Sequence, residues 1–204
     1  MSKNELPREM PENCVFSSWL HFILNSTMRS VSFNLNEVIV LLQRTPHVLS
    51  TLLQDLPQYW IYNNEGEETW SPYDILGHLI HGEKTDWIAR LEIILEQGEN
   101  KSFTPFDRFA QFEDSKGKDL HTLLSEFEDL RNRNLQTLQL KNITPKEYHL
   151  TGIHPDFGIV TLEQLLSTWA THDLAHINQM TRVMAKQYAH LVGPWKNYIR
   201  VLNK

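Results

Sequence analysis

From Leu35 to the C-terminus the chain is dominated by apolar residues that recur three and four positions apart. The clearest stretch is 119–140, apolar at 120, 123, 124, 127, 130, 135 and 138. That spacing gathers the apolar side chains on one face of a helix. The same rhythm predicts helices over 35–56, 72–97 and 162–190, and no stretch alternates convincingly as a strand would. Helices with one apolar stripe each must bury those stripes against one another. The expected fold is therefore all-α, a four-helix bundle. The connections run to roughly 14 to 20 residues, beyond the tight turns of an up-down bundle, so at least one crossover is expected.

Local signals agree with these boundaries. Pro46 interrupts the first helix and predicts a kink there. Ser71 can cap the second, with Pro72 at its first position, Asp74 in its first turn and Gly98 past its end. Thr161 and Gln164 have the spacing of a capping box, and Gly193 and Pro194 close the fourth helix. Segment 57–70 reads as a polar connection and 141–160 as irregular. The loop 99–118 is long enough to cover a pocket.

Composition narrows the partners. At 204 residues the chain fits one domain with a sizeable core. Nineteen Lys and Arg against 25 Asp and Glu leave a formal charge of −6, which argues against nucleic acid as the main partner. No apolar run approaches the roughly 18 residues of a membrane span. Cys14 is the single cysteine, so no internal disulfide forms and a cytoplasmic location is expected. The stretch "CVFSSWLHFIL" (14–24) resembles a signal core, but Glu5, Pro7, Glu9, Pro11 and Glu12 precede it and no clean cleavage site follows. Residues 1–32 are instead expected to be an accessory segment ahead of a domain spanning 33–204, adding little to its core.

The fourth helix carries an unusual pair. In "STWATHDLAHINQMTRVM" (167–184), His172 and His176 stand one turn apart beside a stripe of Leu165, Trp169, Met180 and Val183. Buried imidazoles need partners. They are either satisfied core residues or two ligands of one metal, and the latter requires a third ligand from elsewhere. The pattern differs from the zinc-protease H-E-x-x-H, because Asp173 stands where the general-base glutamate would be and no third zincin ligand follows. The second helix offers His78 and His81, which fall near opposite edges of its apolar arc, so periodicity does not choose between them. Gly82, one turn after His78, would leave room for an ion. Asp74 could orient His78 or merely favour the helix N-terminus. His154 and Arg108, on the two long loops, are candidate substrate contacts.

Taken together, "TWSPYDILGHLIHGEKTDW" (69–87) and "VTLEQLLSTWATHDLAHINQMTRVMAKQY" (160–188) resemble the DinB-like superfamily of bacterial metalloproteins. The likeness runs from about Phe33 to Leu202. It implies a four-helix bundle with a long crossover and a divalent metal (Zn, Ni, Fe or Mn) held by His78, His172 and His176, with His81 a neighbour. It also implies a small-molecule substrate and an enzyme that uses a low-molecular-weight thiol, as transferases and isomerases of the superfamily do, or a hydrolase. A non-catalytic metal-binding or dimeric interaction protein is the alternative, and a homodimer is compatible with either. A purely structural role for the histidines is the third reading.

Overall fold

The computed structural model describes residues 31–96 and 101–203, and the expected accessory segment lies almost wholly outside them. Residues Asn34–Lys204 group into one compact unit. Its elements are α1 (Leu35–Leu53), α2 (Gln58–Tyr62), α3 (Pro72–Thr85), α4 (Trp87–Leu95), α5 (Ala110–Ser115), α6 (Leu120–Leu140), β1 (Thr151–His154), β2 (Gly158–Thr161) and α7 (Leu162–Lys186). Two short 3₁₀ turns, Gly193–Tyr198 and Arg200–Leu202, follow.

The helix starts are set by their caps. Ser71 and Asp74 bond reciprocally at the head of α3, and Thr161 and Gln164 do the same at α7. Asn34 and Asp119 cap α1 and α6 with their side chains. Pro46 lies buried inside α1, whose helix runs through it from Leu35 to Leu53. The apolar faces of α1, α3, α6 and α7 meet in one core, with Leu49, Leu53, Ile75, Leu79, Leu123, Phe127, Met180 and Val183 buried together. Burying each such side chain stabilises the fold by roughly 1.5–3 kcal/mol. The architecture is an all-α bundle, as the apolar periodicity requires. Among the described residues, no helix is long and apolar enough to cross a membrane.

Several details differ from the sequence expectation, among them the short helices α2 and α5 inside segments expected as connection and loop, and a first helix that ends at Leu53. The second long helix is two, α3 and α4, meeting at Asp86, where the backbone is distorted within the right-handed region (φ −113°, ψ −68°). The last long helix ends at Lys186, short of 190. The segment 141–160 contains an antiparallel hairpin, with Thr151 opposite Thr161 and His154 opposite Gly158. Four-residue strands are too short to display a period, and Gly158 (φ +71°) supplies the turn.

The loop before α5 joins this hairpin. Ile153 N–H donates to Lys101 O at 2.7 Å and Phe103 N–H to Ile153 O at 2.9 Å. The approach is close enough that a Cβ on Gly152 would fall 2.4 Å from Phe103 Cε1. On the other side, α5 sits on α3. A Cβ on Gly77 would meet Ser115 Oγ at 2.5 Å, and the Tyr73 hydroxyl lies 2.7 Å from the carbonyl oxygens of Ser115 and Lys118. The described part of the loop, 101–118, is thus tied to the hairpin at one end and to α3 at the other.

Candidate metal centre

Helices α3 and α7 bring His78, His172 and His176 together. His172 Nε2 lies 3.2 Å from His78 Nε2 and 3.1 Å from His176 Nε2, and one ligand atom from each ring lies within 4.8 Å of the others. His78 is buried and the other two are half-buried. Burial, reinforced by mutual repulsion with the neighbouring histidines, pushes His78 and His172 down to about 3. Burial also lowers His176. All three rings are therefore neutral at pH 7, the form in which imidazole ligates a metal.

The hydrogen-bonding arithmetic leaves the cluster incomplete. His176 Nδ1 lies 2.9 Å from Gln179 Oε1, and with that amide oxygen as acceptor the ring proton sits on Nδ1 and the Nε2 lone pair points into the cluster. The Nδ1 atoms of His78 and His172 are buried and find no partner among the described residues. A His172 Nε2 proton can satisfy only one of its two neighbours. A single cation in reach of three Nε2 lone pairs satisfies all three, so the donor set fits a divalent metal, with Gln179 orienting His176 from behind. Gln179 escapes a reading based on histidine spacing, although it stands one turn beyond His176.

The surroundings keep these rings dry. Trp70 and Phe106 pack on His78 with ring centroids at 5.0 and 5.4 Å, and Trp87 meets His172 edge-on at 5.2 Å. The space left by Gly82 is taken by this indole: a Cβ there would meet Trp87 Nε1 at 3.3 Å. Gly82 thus admits Trp87 and at the same time lines the cavity described below.

The other sequence candidates are placed as follows. His81 turns to the opposite side, 3.2 Å from Asp114 and against Phe106. Asp74 accepts from Ser71 N–H and Oγ–H at the head of α3, so the capping role holds and it does not orient His78. Arg108 is exposed, and its charge helps depress His78. His154 lines a cavity.

That cavity, about 230 Å³, opens from the triad. His78 and Gly82 of α3 and Gln164, Leu165, Thr168 and His172 of α7 form its walls. Phe103 and Phe106, from the expected covering loop, close one side. Asp86, Trp87 and Arg90 line it from the start of α4, and His154, Phe157 and Val160 from the hairpin.

Beneath the triad lies a charged network that the periodic reading passes over. Arg131 of α6, fully buried, donates to both carboxylate oxygens of Asp173 at 2.6 and 3.0 Å and to Glu83 Oε1 at 2.8 Å. Thr45 of α1 donates to Asp173, while Trp169 and Asn134 donate to Glu83. Four helices are joined through one guanidinium.

The sequence profile of the DinB superfamily matches residues 41–180, which span the triad and the network. The chain belongs to the DinB superfamily. Its fold is shared with YfiT from Bacillus subtilis, which is 22% identical, with a TM-score of 0.65 over 79% of this chain and 93% of that one. YfiT is described as "a probable metal-dependent hydrolase with an unusual four-helix bundle topology". Among proteins with curated descriptions, none matches the chain. DinB membership and the histidine cluster thus stand on separate observations, one of sequence and one of geometry.

Proposed function

We propose that this DinB protein is a metal-dependent enzyme acting on a small molecule, with His78, His172 and His176 holding one divalent ion. The observation that carries the reading is the convergence of three neutral imidazoles, two of which, His78 and His172, line a cavity. Bound there, a divalent ion supplies Lewis acidity and lowers the pKa of a thiol or water that reaches it.

The chain's own residues supply the rest. Two rings from one turn of α7 and one from α3 would hold the ion, and His78 and His172 also line the cavity through which a substrate would reach it. Trp70 and Phe106 shield His78, and Trp87 shields one edge of His172, which strengthens charge interactions within the site. Asp173 is not a general base, since Arg131 and Thr45 occupy its carboxylate. With no cysteine or free carboxylate at the ligands among the described residues, the nucleophile comes from a bound thiol or water. A low-molecular-weight thiol transferred to an electrophile is the first reading. Hydrolysis is the second, favoured by the description of YfiT.

The test is a turnover screen of metal-loaded protein with small electrophiles and a thiol, and with esters and amides alone. Conjugate formation lost in His172→Ala supports transfer, and thiol-independent cleavage lost in the same variant supports hydrolysis. Loaded protein that turns over neither class contradicts an enzymatic role and favours metal binding alone.

A further inference from the structure

The end of the cavity away from the triad carries polar groups that metal binding does not use. Arg90, one turn into α4, is buried in the cavity wall with its guanidinium over the Phe103 ring, 5.2 Å from the centroid. Its Nε side faces Asp86 in a close ion pair. The two terminal Nη nitrogens make no hydrogen bond among the described residues. Arginine offers its donors as a planar fork with two usable edges, so a carboxylate at Nε leaves the Nη edge open.

A second donor stands nearby on a different element. His154, at the end of β1, packs edge-on against the same Phe103 ring (6.2 Å between centroids) and stacks on Phe157 at 4.3 Å. Asp156 N–H donates to His154 Nδ1 at 3.1 Å, which fixes the ring proton on Nε2. Burial and the Arg90 charge lower the His154 pKa, so the ring stays in this neutral tautomer at pH 7. Phe103 thus seats two donors, and the cavity they share with the triad is walled mainly by apolar side chains, Trp87, Phe106, Val160 and Leu165, with Gln164 and Thr168 on α7.

We propose that Arg90 and His154 form a carboxylate-binding subsite, so that the substrate is a small carboxylate with an apolar body whose reacting group lies at the histidine triad. This rests on the enzymatic reading only in taking the cavity as the substrate's. Arg90 and Asp86 cancel in charge, so recognition is directional: the ligand carboxylate accepts from the Nη edge and from His154 Nε2–H. A neutral amide of the same shape fills the apolar walls but gives the guanidinium no charge to meet.

The test is calorimetric binding of 3-phenylpropanoate, 3-phenylpropanamide and 3-phenylpropylamine to the full chain, both metal-stripped and metal-loaded. The expected result is a preference of about tenfold or more for the acid over the amide, present without metal. Arg90→Gln should abolish that preference while leaving amide binding and metal content unchanged. His154→Phe keeps the ring stack and should weaken only the acid, by a few-fold. These two variants act on different elements, so misfolding of one leaves the other decisive. Equal binding of acid and amide, preferential binding of the amine at Asp86, or no binding of any probe overturns the subsite. A preference seen only with metal and untouched by Arg90→Gln places the carboxylate on the ion and also overturns it. A metal-free protein that shows the preference but never retains metal keeps the subsite and removes the metal reading.

Discussion

Asp173 turns its carboxylate away from the adjacent His172 and onto Arg131, meeting both Nη nitrogens in the bundle interior. The H-x-x-x-H turn of α7 therefore works on two faces: its histidines face α3 and the cavity, and its aspartate locks α6. This is why the resemblance to a zinc-protease helix goes no further than spacing.

Removing the guanidinium should be severe. Arg131→Met leaves Glu83 and Asp173 buried without their cation, and the expected loss of unfolding free energy is about 3–5 kcal/mol. Denaturant unfolding measures it. A loss below about 1 kcal/mol, the range of an exposed ion pair, would show that the network does not hold the helices together.

The depressed histidines make a pH prediction for metal-stripped protein. Their folded pKa values of about 3 lie below the unfolded value near 6.5, so between these limits the unfolded chain binds more protons. Stability then falls as pH drops from about 6.5 towards 3, by roughly 1.4 kcal/mol per pH unit for each such ring. Melting at pH 7 and pH 5 should show this loss, and His172→Leu should lessen it. Identical slopes in both proteins would contradict the placement of His172.

Much of this was legible in the chain. The apolar period located the four long helices, and capping residues fixed where α3 and α7 begin. One-turn spacing paired His172 with His176. The choice of His78 over His81 came from family resemblance, because a broad apolar arc places both at its edges and only α5, bearing Asp114, separates their environments. Glu83 and Arg131 were harder to read. Each is a charge set among apolar neighbours, and its meaning depends on partners 48 and 42 residues away. The hairpin is hidden because its strands are short and one contains Gly152, where the ring of Phe103 from a distant loop comes close.

Gly152→Ala tests that close approach. A Cβ 2.4 Å from the Phe103 ring forces the ring or the hairpin to move, at a cost of about 1–3 kcal/mol. The same displacement should disturb the cavity end that Phe103 lines. Unchanged stability and unchanged Phe103 ring resonances would mean that the hairpin and loop 101–103 are not held as described.

The most direct measurement of the central claim is metal content per chain after loading and exhaustive dialysis. The wild-type protein should retain about one divalent ion, since three protein ligands in one site hold one metal. His78→Ala, His172→Ala and His176→Ala should each lose it, whereas His81→Ala, whose ring faces Asp114, should keep it. A wild-type protein that retains none, or a triad variant that retains the full complement, would contradict the account.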